Sequence, residues 1–306
     1  MQQLLYQQSA YATLDRLWAG GRFPHALLIE GAAGSGKRTL AHYAAAMLLC
    51  RGEGKRPCGL CRSCRKIDSG SHPDLTVIDG REKKAYAIDA VRALRAGAWV
   101  APNESERRVL LLTDVQNMPV PSQNALLKII EEPPAHICFL LTATSRGALL
   151  DTILSRTTVL SMNELTEAER ADALIHLLPE ADAAARLEAA AAFETVGQAK
   201  DALSDEQTRA LLADTAALLE AVLRRDRYAI LRILSGREGD RDALFEQLSL
   251  LRTAVGRRLV SGSGEMTALQ CAQIVAIIEK AQERCTQNVG RPLLCAVLAD
   301  ELIAAV

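Results

Sequence analysis

The stretch ALLIEGAAGSGKRTLAHYAAAMLLC, residues 26–50, decides the fold. Ala26–Glu30 is a short apolar run that predicts a buried strand, Gly31–Gly36 is a glycine-rich turn, and Lys37–Cys50 reads as a helix. A strand that runs through such a turn into a helix is the setting in which G-x-x-x-x-G-K acts as a phosphate-binding loop. Gly31, Gly34 and Gly36 would let backbone N–H groups turn inward around phosphate oxygens. The helix N-terminus adds positive potential, and Lys37 would reach the terminal phosphates. A strand-to-helix turn that binds nothing is the alternative reading.

Working outward, Leu75–Asp79, Arg108–Thr113, Ile137–Thr142 and Thr157–Ser161 read as four more strands. Helices are expected at Ile88–Val100 and at Ser122–Glu131, the latter stopped by Pro133-Pro134. Strands alternating with helices imply βαβ units and a mostly parallel, covered sheet. After residue 162 the composition shifts to Ala, Leu, Arg and Glu with helical periodicity and no convincing strand. Glu164–Leu178 and Asp182–Phe193 read as helices, with a third beginning near Gly197. From about Asp205 four or five longer helices follow, punctuated at Gly236–Gly239, Gly262–Gly264 and Gly290–Pro292. The expected division is an α/β domain over 1–162, a small helical domain over 163–204 and an all-α domain over 205–306.

The loop departs from a metal-dependent site at Arg38, where a Ser or Thr hydroxyl belongs to hold Mg²⁺. Arginine has no acceptor. Thr39, one residue on, sits about 100° around the helix and does not simply substitute. The strand at Val109–Thr113 ends at Asp114, a candidate metal-associated carboxylate that also reads as an ordinary strand-end residue. The next position, where a water-activating Glu is expected, is Val115, which accepts no proton. ATP or ADP is thus a candidate ligand, and no turnover is expected from the chain alone.

Cys50, Cys58, Cys61 and Cys64 place four thiols within fifteen residues as C-x7-C-x2-C-x2-C. Thiolates at this spacing suit tetrahedral Zn²⁺, and an iron–sulfur cluster also uses closely spaced cysteines. Zinc is favoured, because the segment sits in a βαβ crossover and no redox partner motif is visible. Cys138, Cys271, Cys285 and Cys295 fall on apolar faces and read as small buried hydrophobes. Around the cluster, Arg51, Lys55, Arg56, Arg62, Arg65 and Lys66 outnumber Glu53 and Asp68. This is either a docking face for DNA or an acidic partner, or a solvated surface.

Composition removes several classes of function. The chain has 306 residues, 49% hydrophobic and 24% charged, which excludes a disordered chain and suits about two domains. Its 36 basic and 37 acidic residues leave a net charge of −1, so bulk charge does not drive nucleic-acid coating. With 4% aromatics, base-stacking platforms would be sparse. No apolar run is long enough for a membrane span, and Met1–Leu5 does not open a signal peptide. The expected compartment is the reducing cytoplasm, where metal ligation is favoured over disulfides.

Several segments carry a resemblance to a known family. Asn124-Ala125-Leu126-Leu127-Lys128-Ile129-Ile130-Glu131-Glu132-Pro133-Pro134 resembles the NALLK-x-x-EEPP signature of bacterial clamp-loader subunits with the AAA+ ATPase fold. His25-Ala26-Leu27-Leu28 is similar to their entry strand, and the four-cysteine insert to their zinc module. Thr152-Ile153-Leu154-Ser155-Arg156-Thr157 is similar to their T-x-x-S-R-C segment, with Thr157 in place of Cys. The likeness spans about residues 20–205. It implies a P-loop AAA+ domain with a parallel sheet and zinc module, a helical lid, and an all-α collar that oligomerises.

Within the family, Lys37-Arg38 and Asp114-Val115 point to the non-hydrolysing stator, or delta-prime, branch rather than the gamma/tau motor. The chain stops at Val306 without a proline-rich or charged extension, which points away from the longer tau form. The resemblance implies that Ser155 and Arg156 present an arginine finger to ATP on a neighbouring subunit. Alone, Arg156 would read as an ordinary surface arginine. It also implies that Thr144 sits where the γ-phosphate is sensed, and that Lys200, in Gly197-Gln198-Ala199-Lys200-Asp201-Ala202-Leu203, stands where motors carry a second-sensor Arg. The implied partners are paralogous gamma/tau and delta subunits and, within the complex, the sliding clamp and primed DNA. The competing readings are a self-sufficient ATPase of the same fold and a zinc-dependent DNA-binding module.

Overall fold

The computed structural model describes residues 3–21, 23–82, 84–236, 241–261, 266–286 and 290–306. The chain divides into two compact units, Met1–Leu165 and Thr166–Val306.

The first unit is built on five parallel strands: β1 (Ala26–Glu30), β2 (Leu75–Asp79), β3 (Arg108–Thr113), β4 (Ile137–Ala143) and β5 (Thr158–Ser161). Their order across the sheet is β2-β3-β4-β1-β5. The central strands read as continuous apolar runs because both faces are covered. Their side chains alternate between two cores with the period of two that a strand imposes. Leu27, Ile29, Val109, Leu111, Cys138 and Leu140 join one core, with helices α1 (Gln8–Ala19) and α2 (Lys37–Leu49). Ala26, Leu28, Leu110, Leu112, Phe139 and Leu141 join the other, with α4 (Ile88–Gly97), α5 (Val120–Glu131) and α6 (Asp151–Leu154). Between α2 and β2 lies α3 (Arg62–Asp68).

Besides the single-turn α6, two helices of this unit were not anticipated from the sequence. One, α1, is held by Leu14, fully buried, and by Tyr11 packed edge-on against Tyr43. Gln7 just before it exchanges two hydrogen bonds with the backbone of Asn163, at 2.8 and 3.0 Å, which ties the chain's start to the exit from β5. The other, α3, lies inside the cysteine insert. The expected helix at Ile88–Val100 ends at Gly97, and Trp99 and Val100 stand exposed beyond it.

The second unit is helical throughout its described residues. Side-chain caps start several of its helices, each accepting an otherwise orphaned N–H. Thr166 and Glu169 form a reciprocal capping box at α7 (Glu167–Leu177). Asp182 caps α8 (Ala183–Ala192), Thr195 caps α9 (Val196–Ser204) and Asp205 caps α10 (Glu206–Leu223). Leu174, Ala189, Ala190 and Ala199 form a small core of their own. A larger one joins α10 to α11 (Arg227–Ser235), α12 (Arg241–Ser261), α13 (Ala268–Thr286) and α14 (Arg291–Ala305). Cys271, Cys285 and Cys295 are buried there, and Cys138 in the sheet, as small hydrophobes should be. Gly236 ends α11 and Gly290 begins α14, while the breaks expected at 237–239 and 262–264 lie outside the described residues. Among the described residues no helix is long and apolar enough to cross a membrane.

Candidate functional site

The glycine-rich loop leaves β1 and opens α2 as the sequence predicts. Gly34 and Gly36 adopt left-handed backbone, φ 79° and 92°, which a side chain would strain. At Gly31 a Cβ would lie 2.8 Å from the Met162 side chain and 2.9 Å from Ser35 Oγ. Lys37 is 5% exposed, and its ammonium donates to Ala32 O at 2.8 Å, within the loop itself. Burial pulls its pKa below the ordinary lysine value.

Arg38 occupies the neighbourhood where a metal-binding hydroxyl would be useful. Its guanidinium grips Asp79 at the end of β2 with two N–H groups. It also donates to Thr113 Oγ1 at 2.6 Å and to Asp114 Oδ2 at 3.1 Å. The hydroxyl in this cluster is therefore that of Thr113, not Thr39. Arg81 holds the other side of Asp79 at 2.9 Å. These two arginines, Arg38 first, hold the Asp79 carboxyl far below the usual carboxylate range. Asp114 has left-handed backbone, φ 53°, and its N–H donates to Thr142 Oγ1 at 3.0 Å. Val115 turns into the apolar core, 1% exposed, so the position expected to hold a base faces away from the loop chemistry. Thr144 lies exposed just past β4, its N–H bonded to Gln116 Oε1 at 3.2 Å.

Sequence reading missed Asp79, Gly80 and Tyr86. A Cβ on Gly80 would lie 2.3 Å from Thr113 O and 2.8 Å from Asp114 O. Tyr86 donates its hydroxyl to Thr113 O at 2.5 Å. The only available signal was the Asp79-Gly80 dipeptide at a strand end, which reads equally well as a plain turn.

The four cysteines of the insert converge. Their sulfur atoms all lie within 4.8 Å of one another, with Cys50 to Cys61 at 3.9 Å and Cys58 to Cys64 at 4.0 Å. Four ligands at about 2.3 Å around a tetrahedral ion require sulfur separations of just under 4 Å, so the set fits a metal. Backbone N–H groups of Gly52, Cys58, Cys61 and Cys64 donate to three of the sulfurs at 3.3–3.4 Å. Such donors favour the thiolate form. They lower Cys58, and at Cys61 they outweigh burial and bring the thiol to about 6. Burial pushes Cys64 up. Gly59 is left-handed, φ 72°, and a Cβ on Gly52 would lie 2.6 Å from the Cys58 sulfur, so both glycines serve the cradle.

A buried polar chain fastens this cradle to the sheet. Ser63 donates to Leu49 O at 2.6 Å and meets His72 Nε2 at 2.7 Å. His72 Nδ1 accepts from the Asp74 N–H at 3.1 Å, so the neutral ring carries its proton on Nε2 and donates to Ser63. Burial lowers the His72 pKa and keeps the ring neutral. Asp74, 2% exposed, accepts backbone N–H groups of Asn103, Glu104 and Ser105 at 2.5–2.8 Å. On the insert's surface, Arg56 stacks on Trp18 at 4.9 Å, and Lys66 pairs with Glu104 at 2.5 Å.

Arg156 lies elsewhere. In the register of β1 and β5, Leu27 pairs with Thr158 and Glu30 with Ser161. The loop follows Glu30, whereas Arg156 precedes Thr158, so the two leave opposite ends of the sheet. β5 spans about 10 Å from Thr158 to Ser161 at the usual rise, and Arg156 lies two residues before it. Arg156 is 39% exposed and pairs with Glu131 at 3.0 Å. It also donates to Thr152 O and Ser155 Oγ at 3.0 and 3.1 Å. Lys200 is exposed on α9 in the second unit.

The family described as "DNA polymerase III, delta subunit" matches residues 6–166. The chain is 40% identical over 152 residues to the DNA polymerase III subunit delta' of Pseudomonas aeruginosa, a match covering 48% of this chain and 46% of that one. It is 34% identical over 156 residues to the delta' subunit of Bacillus subtilis, covering 50% and 46%. It is also 34% identical over 156 residues to the gamma/tau subunit of Mycobacterium bovis, covering 51% and 27%. The matched stretch thus spans less than half the length of these curated relatives.

Proposed function

The chain belongs to the DNA polymerase III delta subunit family, and from that premise we propose that it is a delta-prime-type stator subunit of a clamp loader. Its role is to deliver Arg156 to ATP held by a neighbouring gamma/tau subunit. One observation carries this reading: the exposed Arg156 leaves the sheet at the end opposite its own loop. A guanidinium so placed cannot serve its own nucleotide site, but it can reach into a neighbour's. There it would stabilise charge on the transferring phosphate, a contribution worth about 10³–10⁵ in rate in other NTPases.

The loop supports the same reading from the other side. Arg38 removes the metal-binding hydroxyl, and Val115 is buried where a water-activating carboxylate would be needed. The four cysteines would hold zinc as a structural ion that closes the insert, with Ser63, His72 and Asp74 fixing that insert to the sheet. Thr144 and Lys200 are assigned as the counterparts of phosphate sensors. Residues 163–204 and 205–306 are assigned as lid and collar, the collar joining the chain to gamma/tau and delta subunits. The assembly would place a sliding clamp on primed DNA in the cytoplasm.

The test is reconstitution with gamma/tau and delta subunits. With Arg156→Ala the subunit should assemble, while ATP hydrolysis and clamp loading by the assembly collapse. Lys37→Ala should be milder. Wild-type loading by the Arg156→Ala assembly together with failure of the Lys37→Ala assembly would place the active site in this subunit instead.

A further inference from the structure

In a metal-dependent phosphate loop, a hydroxyl after the lysine and a carboxylate at a neighbouring strand end hold a divalent ion. In this chain the corresponding space is filled by a guanidinium. Arg38 reaches from the first turn of α2 to Asp79 at the end of β2, to Thr113 at the end of β3 and to Asp114 just past it. A guanidinium is a permanent cation with five donors and no lone pair, so it neutralises carboxylates and ligates no metal. Arg81 holds the other side of Asp79. The backing is tight as well, because Gly80 approaches Thr113 O so closely that no Cβ fits.

We infer that Arg38 is a resident cation that takes the place of a divalent ion. It excludes that ion from between Asp79 and Asp114, and it holds the ends of β2 and β3 and the start of α2 in one arrangement whatever metal is present. The nucleotide loop of this chain is thereby set by a covalently attached charge and does not respond to magnesium. The inference goes beyond the trans-acting role of Arg156 and stands or falls without it.

The test uses the full zinc-loaded chain, with Mn²⁺ binding followed by electron paramagnetic resonance and Tm measured with and without millimolar MgCl₂. The wild type should bind no Mn²⁺ through these carboxylates, and magnesium should leave its Tm unchanged. Arg38→Ser removes the cation and supplies a hydroxyl. It should gain an Mn²⁺ site that a second change, Asp114→Asn, removes again. Arg38→Met, which keeps the aliphatic stem, should gain the site too. If either variant is poorly folded without metal, magnesium should raise its Tm while leaving the wild type unchanged, which is the same result by another readout. The inference is overturned if wild-type Mn²⁺ binding is abolished by Asp114→Asn. It is equally overturned if neither variant gains Mn²⁺ binding or a magnesium-dependent rise in Tm.

Discussion

Asp79 and Asp114 share the guanidinium of Arg38, a cation the chain carries itself. The sulfurs of Cys50, Cys58, Cys61 and Cys64 instead converge on one another, with backbone N–H groups as their donors. Both sites concentrate groups that are anionic when deprotonated, yet one is closed from within and the other is arranged for a cation from outside. The difference shows how the carboxylates beside a phosphate-type loop can be neutralised from within while the sulfurs of a neighbouring insert stay arranged for a metal. A single substitution in the loop exchanges a diffusible ion for a tethered one, and the cluster that needed the ion becomes a structural joint.

Four measurements would break or sharpen this contrast. The largest effect should follow removal of metal from the cysteines. Structural zinc contributes about 10–16 kcal/mol to zinc-finger peptides, so chelation or Cys61→Ser should release zinc and open residues 50–68 to hydrogen exchange. The sheet, with its separate cores, should remain protected. Metal analysis finding iron or no metal would undo the assignment.

Next in size is Arg38→Ala, which leaves the Asp79 and Asp114 carboxylates short of their donor. Charged hydrogen bonds of this kind contribute about 1.5–3 kcal/mol each when well shielded. With Arg38 and Asp79 side chains 30% and 24% exposed, a net loss of about 1–3 kcal/mol in urea unfolding is expected. An unchanged midpoint would mean that the joint carries no stability.

A smaller effect separates the two sites by pH. The folded Asp79 carboxyl lies below its unfolded value of about 3.9. Its contribution is therefore complete above that value and is lost as the pH falls toward the folded one. Acid unfolding should accordingly steepen below about pH 4 in the wild type and flatten in Asp79→Asn. The same profile in both proteins would show that Arg38 does not depress Asp79.

The smallest effect on stability belongs to Arg156→Ala. Its pair with Glu131 is exposed on both sides, and such changes shift stability by no more than about 0.5 kcal/mol. A drop of several degrees in Tm would make Arg156 a structural residue and remove the reason to look for its partner elsewhere.

Much of this was legible in the residues because it rests on short-range patterns. The strand at Ala26–Glu30, the glycine turn and the helix opened by Lys37 all appear where the sequence places them. The cysteine spacing likewise announced a set of sulfurs able to hold a metal, since four sulfurs so close in the chain need little help to meet. The helix at Gln8–Ala19 was not legible. Its register against the sheet depends on Leu14 and Tyr11 finding α2, and its anchor is the Gln7–Asn163 pair, 156 residues apart. The helix inside the insert was hidden for a related reason: Cys61 belongs to the four-sulfur set and is also its N-cap, accepting the N–H of Cys64.

By itself the sequence determined the alternation of strand and helix, the loop, the four-cysteine set and the substitutions at Arg38 and Val115. Only the tertiary structure decided what those substitutions do. Arg38 meets Asp79 and Asp114 across 41 and 76 residues of chain, and Val115 turns inward to pack in the core that β3 and β4 share with α4 and α5. Arg156 becomes remote from its own loop only when β5 pairs in parallel with β1. Local patterns fix backbone conformation within a few residues. The partner of a long charged side chain, and the end of a sheet from which it projects, are set only when distant strands come into register.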